Sequence, residues 1–356
     1  MMALRTHGGT DALGAPPHDF STNSNACGPC PQALHAVRQA DAGHYPDAAY
    51  TDLRQQLAAF HGVATERVLL AGSASEFIFR ITAWVARSGF GMGAAAPGGP
   101  SLPAVHLPPH AYGDYAQAAQ AWGLAQVARP DQATLVWACE PSSPLGQAHQ
   151  GWPQDLLNLC ARPWQTVVLD AAYEPLRLSG APSLSAAQRA HVWQLFTPNK
   201  ALGLTGVRAA YAIAPIGAQD AVRALESLAP SWPVGAHGVA MLQAWVSTDV
   251  QAWLAACLPV LRDWKARQMA LLQGLGWRVA PSDANFFCAQ APQALDLVHL
   301  RQVHGVKLRD ALSFGLPGHI RLGVLPPASQ DVLRDALQSP LMTLGGGISG
   351  RASETL

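Results

Sequence analysis

Thr166-Val167-Val168-Leu169-Asp170-Ala171-Ala172-Tyr173, followed by Thr197-Pro198-Asn199-Lys200 and then Arg208, is the stretch on which the reading of this chain turns. Its first five residues are an apolar run ending in a carboxylate, as expected of a strand buried on both faces of a sheet and finishing in a crevice. Lys200 is one of only three lysines, the others being Lys265 and Lys307. A lysine amine can bond an aldehyde, an aspartate can keep a pyridine nitrogen protonated, and hydroxyl and guanidinium groups can grip a phosphate. Lys200, Asp170, Thr197 and Arg208 thus have the layout of a pyridoxal-phosphate site.

Outward from this stretch, β-rich runs alternate with helix-patterned segments. Strands are expected at Arg67–Gly72, Ala104–Pro108, Thr134–Cys139, Thr166–Asp170, Val192–Thr197 and Arg208–Ala214, with amphipathic segments such as Tyr50–Phe60, Tyr115–Gly123 and Gln154–Ala161 between them. The order βαβα predicts an α/β fold with a mostly parallel sheet flanked by helices. Chemistry in such sheets collects at the carboxyl ends of the strands. Glu140-Pro141-Ser142-Ser143, Asp170 and Thr197 to Lys200 all follow such ends. After the proline-rich joint Pro230-Ser231-Trp232-Pro233, a helical stretch over Gly235–Leu272 and strand-like pieces at Ala284–Ala289 and His319–Val324 predict a smaller α/β C-terminal domain. The expected organisation is an N-terminal arm over 1–35, a large cofactor domain over 36–234, a small domain over 235–340 and a Gly-rich tail over 341–356.

The chain has 356 residues, 49% of them hydrophobic, enough for one large domain and a smaller one. Its 23 basic and 23 acidic residues cancel and only 13% are charged, so no basic field calls for nucleic acid and no cationic amphipathic run for a membrane. Met1 to Pro17 lacks the apolar core of a signal peptide. The expectation is a cytoplasmic enzyme acting on a small molecule, with no metal site. Six scattered cysteines do not read as a disulfide framework. Cys27-Gly28-Pro29-Cys30 has the spacing of a dithiol redox motif, but it follows the polar run Ser21 to Asn25 rather than a buried strand, which favours an ordinary loop.

Each candidate has a plainer alternative. Asp170 also suits a turn cap, and Gly72-Ser73-Ala74-Ser75-Glu76 suits either a phosphate held at a helix start or a simple N-cap. Tyr112 fits the core or a face stacked on a cofactor ring. Arg321, within the apolar His319-Ile320-Arg321-Leu322-Gly323, fits a carboxylate clamp better than a surface site.

These residues, with His7-Gly8-Gly9 and Asp19-Phe20-Ser21-Thr22-Asn23, resemble the class I/II aminotransferases among fold-type I pyridoxal-phosphate enzymes, from about Thr6 to Pro326. The similar branch holds histidinol-phosphate aminotransferase and threonine-phosphate decarboxylase, and the N-terminal strings look most like the decarboxylase. The resemblance implies that Lys200 bonds the cofactor, Asp170 pairs with its pyridine nitrogen and Tyr173 meets its phenolic oxygen. It assigns the phosphate to Thr197, Arg208 and the turn Ser73-Ala74-Ser75. In His44-Tyr45-Pro46-Asp47, Tyr45 would reach the cofactor of a neighbouring subunit, which implies a homodimer with shared sites. Arg321 would hold the substrate carboxylate, and His7, Asn23 and Arg309 would bind substrate, including a phosphate. Where relatives have Asn-Pro-x-Asn-Pro-x-Gly, this chain has Glu140-Pro141-Ser142-Ser143-Pro144-Leu145-Gly146, so Ser143 replaces an asparagine. A serine reaches less far and donates one hydrogen, not two. The implied activity is threonine-phosphate decarboxylation in cobalamin biosynthesis, with transamination as the alternative and dithiol chemistry as a remote one.

Overall fold

The computed structural model of the chain describes residues 7–91, 102–152, 154–160 and 162–339. The expected tail lies outside the described residues. A seven-stranded sheet runs in the order Val68–Ala71, Ala210–Ile213, Trp193–Phe196, Thr166–Asp170, Leu135–Cys139, Ala104–His106, Ala125–Gln126. Ala210–Ile213 is antiparallel to both neighbours, and the other pairings are parallel. Every residue of Val68–Ala71, Leu135–Cys139 and Ala210–Ile213 is buried, as a sheet covered on two faces requires.

Alternation along each strand sends neighbours to opposite layers. Leu69, Trp137, Val168 and Leu195 pack with Phe77, Ile81, Tyr115 and Val222 from helices Ala74–Gly91, Gly113–Ala121 and Gln219–Ser227. Val68, Leu70, Tyr211 and Ile213 pack with Leu53, Leu57, Met241 and Trp245 from helices Thr51–His61 and Ala236–Trp245.

The single helical stretch expected over 235–272 is two helices, Ala236–Trp245 and Thr248–Gly274, bent by 71°. Ser247 makes the break. Its hydroxyl donates to the Ala244 carbonyl (2.8 Å) and accepts from the Val250 N–H (3.4 Å), closing one helix and capping the next. No single helix among the described residues is long and apolar enough to cross a membrane. The strand expected over 104–108 stops at His106, ahead of two prolines that cannot donate to a ladder. A second, antiparallel sheet runs Arg309–Asp310, His319–Gly323, Phe286–Gln290, Arg278–Val279.

The N-terminal arm is threaded between the two sheets' ends. A Cβ on Gly323 would lie 2.2 Å from the Thr22 carbonyl oxygen, and one on Gly8 would lie 2.1 Å from that of Ser21. Only glycine admits these approaches, and the Gly323 N–H donates to the Phe20 carbonyl at 2.8 Å. This packing brings Asn23 beside the strand ends.

Candidate active site

A cavity of about 430 Å³ opens at the carboxyl ends of the central strands, within the size range of small-ligand sites. His7, Asn23, Ser73, Ala74, Ser75, Tyr112, Ser143, Asp170, Tyr173, Thr197, Lys200, Arg208, Arg309 and Arg321 all line it. Tyr45 does not. It is 77% exposed and stacks on Trp232 at 4.4 Å, on the molecule's surface.

Lys200 sits in a tightly bonded turn. Its Nζ donates to Thr197 Oγ1 at 3.4 Å and lies 5.3 Å from the Tyr173 ring centroid. Thr197 Oγ1 donates to Asn199 Oδ1 (2.8 Å), and Asn199 Nδ2 donates to the Thr205 and Val207 carbonyls at 3.4 Å each. The arm clasps the same turn from outside, with the Asn25 N–H on the Lys200 carbonyl (2.9 Å) and the Cys30 N–H on the Leu202 carbonyl (2.8 Å). This gives the Cys27–Cys30 loop a structural role. Both cysteines are free, and burial pushes the Cys27 thiol up to about 12, against the low-pKa thiolate that dithiol chemistry needs.

Asp170 is 5% exposed, with its Oδ1 accepting from the Ala172 N–H (2.9 Å) and its Oδ2 from the Tyr115 hydroxyl (2.6 Å). Burial raises its pKa; the Tyr115 and Ala172 donors and the Lys200 charge pull it back part of the way. Tyr173 accepts from Asn23 Nδ2 at 3.2 Å and packs edge-on against Phe286.

Ser73 caps the helix Ala74–Gly91, its Oγ accepting from the Glu76 N–H (3.1 Å), so the N-cap alternative is realised. That bond uses a lone pair of the hydroxyl and leaves its hydrogen for an anion. Ser75 Oγ lies 3.3 Å from the Tyr112 hydroxyl, which burial pushes up to about 12 and so keeps neutral.

Two arginines occupy the opposite wall. Arg309 and Arg321 pair directly across antiparallel strands. Their guanidinium carbons lie 4.9 and 5.4 Å from the Phe314 ring centroid. Arg309 Nη2 donates to Ser313 Oγ (2.7 Å), and Arg321 donates to the Ser21 carbonyl (2.8 Å) and to Ser143 Oγ (3.4 Å). Burial first, and then the neighbouring Arg321, lowers the pKa of Arg309.

The cavity therefore holds an amine, a buried carboxylate, a phenol and two regions of anion donors. Buried Arg321 Nε and Asn23 Oδ1 have no hydrogen-bond partner within the protein. Such atoms call for a polar ligand. This donor set fits pyridoxal phosphate: the helix start, hydroxyls and Arg208 suit the phosphate, Asp170 the ring nitrogen, Tyr173 the phenolic oxygen and Lys200 the aldehyde.

Tyr115, Asn199, Ser313 and Phe314 were not among the candidates read from the sequence. A tyrosine or phenylalanine at helical spacing reads as core, and Asn199 reads as part of a turn. Only the three-dimensional neighbours distinguish them.

A family model described as aminotransferase class I and II matches residues 114–339. Histidinol-phosphate aminotransferase 2 of Burkholderia mallei is 27% identical over 351 residues, covering 92% of this chain and 93% of that protein. Among solved structures, histidinol-phosphate aminotransferase from Sinorhizobium meliloti, in complex with pyridoxal-5'-phosphate, has a TM-score of 0.70 at 22% identity, covering 89% of this chain and 88% of that one. L-threonine-O-3-phosphate decarboxylase from Porphyromonas gingivalis has a TM-score of 0.72 at 20% identity, covering 89% and 97%.

Proposed function

Since the chain belongs to the aminotransferase class I and II family of pyridoxal-phosphate enzymes, we propose that it is an aminotransferase whose amino substrate carries a phosphate. It has the fold-type I architecture and takes pyridoxal 5'-phosphate. The observation that carries the substrate class is the pair Arg309 and Arg321. Like charges on residues set directly opposite across strands repel, so two arginines paired on one cavity wall and packed on the Phe314 ring favour an anion beside them. Histidinol-phosphate aminotransferases matching this chain over nine-tenths of its length support the same class.

The bound cofactor supplies an electron sink for the bonds at the carbon that bears the substrate's amine. In the proposed roles, Lys200 Nζ holds the cofactor and, when released, takes the proton from that carbon. Asp170 keeps the ring nitrogen charged, while Tyr173, held by Asn23, steadies the phenolic oxygen. Ser143 stands where relatives carry an amide, and its shorter side chain with a single donor hydrogen would hold that oxygen less firmly. Arg321 orients the carboxylate of the keto acid and of its amino product, and Arg309 with His7 takes the phosphate of the phosphorylated substrate.

A second reading, decarboxylation of an O-phosphorylated amino acid, is favoured by His7 and Asn23, whose strings resemble the threonine-phosphate decarboxylase and which line the same cavity. The two reactions would differ in which bond at the amine-bearing carbon the side chains of the cavity hold in position for the electron sink that the cofactor would supply. Two incubations separate the readings. With L-histidinol phosphate and 2-oxoglutarate, formation of glutamate is expected. With O-phospho-L-threonine and no keto acid, an amino-alcohol phosphate lighter by CO2 would overturn transamination as the main activity.

Arg309→Ala is expected to raise KM for phosphorylated substrates about 10- to 100-fold and to leave KM for unphosphorylated amino acids nearly unchanged. Equal losses on both would remove the phosphate role. The exposed Tyr45 and Trp232 stack supports a homodimer in which Tyr45 reaches the partner's site.

A further inference from the structure

Tyr115 makes a short bond to Asp170, one of the buried groups of the site. It is fully buried in the helix Gly113–Ala121 and lies flat against Trp137, with centroids 4.4 Å apart and planes 15° from parallel. In this packed position the hydroxyl donates to Asp170 Oδ2 at 2.6 Å.

Among the described residues, three titratable groups face Asp170: Tyr115 from its helix, Cys139 from the adjoining strand, where it pairs with Asp170 in register, and Lys200 from the turn after Trp193–Phe196. Burial and the neighbouring Asp170 raise the Tyr115 hydroxyl well above its ordinary value, and burial does the same for the Cys139 thiol. Both stay neutral, so Tyr115 keeps the hydrogen it donates.

A carboxylate taken out of water needs donors to remain ionised. A cationic donor at position 115 would satisfy Asp170 but would also cancel the charge that attracts a protonated ring. A neutral phenol supplies the hydrogen and leaves the charge in place.

We propose that Tyr115 is a positioning residue that holds Asp170 ionised and correctly turned toward the cofactor's ring nitrogen. The proposal rests on the assignment of Asp170 made above.

Tyr115→Phe keeps the ring and its stack and removes one oxygen. Titration of the apoenzyme with pyridoxal phosphate should give a dissociation constant about 10- to 100-fold higher than the parent's. The acid limb of cofactor affinity should move to higher pH, because Asp170 without its donor takes up a proton sooner. Turnover should fall while KM for the amino substrate holds. Incorporation of 3-fluorotyrosine at 115, almost isosteric and a stronger donor, should move the acid limb the opposite way, and it gives a readout if the Phe variant does not fold. An unchanged dissociation constant and pH profile, with only thermal stability reduced, would overturn the proposal. A parent protein that itself fails to bind the cofactor would instead overturn the reading of the whole site, and the Tyr115 role with it.

Discussion

Lys200→Ala is expected to abolish the borohydride-stable cofactor adduct and to lower turnover by about 10⁴-fold or more, while the protein remains folded. In the proposed roles the substitution removes both the attachment point and the group that moves the proton, and neither other lysine is placed to substitute. Lys265 Nζ is bonded to the Ser282 carbonyl and to that of Ala284 (2.8 Å), with burial lowering its pKa to about 8. Lys307 Nζ is held by the Gly9 carbonyl (2.6 Å) and by Asp11 Oδ2 (3.0 Å). Neither lines the cavity. The Lys200 turn is fastened by backbone groups and by Asn199, all of which alanine retains, so the stability change should stay within about 1 kcal/mol. Peptide mass mapping after reduction reads the result. A trapped adduct persisting in the variant, on Lys265 or Lys307, would sink the assignment of Lys200.

The second large effect is expected from Asp170→Asn, a near-isosteric change that should lower turnover about 10³-fold and weaken cofactor binding. An amide turns an N–H toward the ring nitrogen and so favours its unprotonated form, which draws electrons from the substrate less strongly. The apoenzyme should respond in the opposite sense. Burial raises the folded-state pKa of Asp170 above its unfolded value, so the ionised group burdens the empty fold, and the parent apoenzyme gains stability from this group as pH falls through that raised pKa. The Asn variant should lack this pH-dependent gain and should be at least as stable as the parent near neutral pH. Melting curves of the two apoenzymes across pH, beside cofactor titrations, separate the effects. A variant with parental turnover and affinity would show that Asp170 does not face the ring.

Much of this arrangement can be read along the chain because strands and turns are local. Thr166–Asp170 is bounded in the structure as its run of apolar residues predicts, and the helix following Ser73 starts where a serine N-cap places it. Reading fails where the deciding contact is remote. Residues 235–272 have continuous helical character, and the break at Ser247 turns on a hydroxyl that caps one helix while closing another. Tyr115 has the spacing of a core residue, and its role follows from Asp170, 55 positions away.

The layered α/β order, the carboxylate at a strand end and a lysine in a Gly-rich turn are legible in consecutive residues, since each depends on their polarity and backbone preference. The closed fold pairs Arg309 with Arg321, brings Asn23 to Tyr173 across 150 positions and sets the Tyr115 hydroxyl on Asp170. The physical reason is range. Hydrophobic periodicity and turn chemistry act between near neighbours, whereas the register of an antiparallel pair and the threading of the arm past Gly8 and Gly323 are fixed only when the whole core closes.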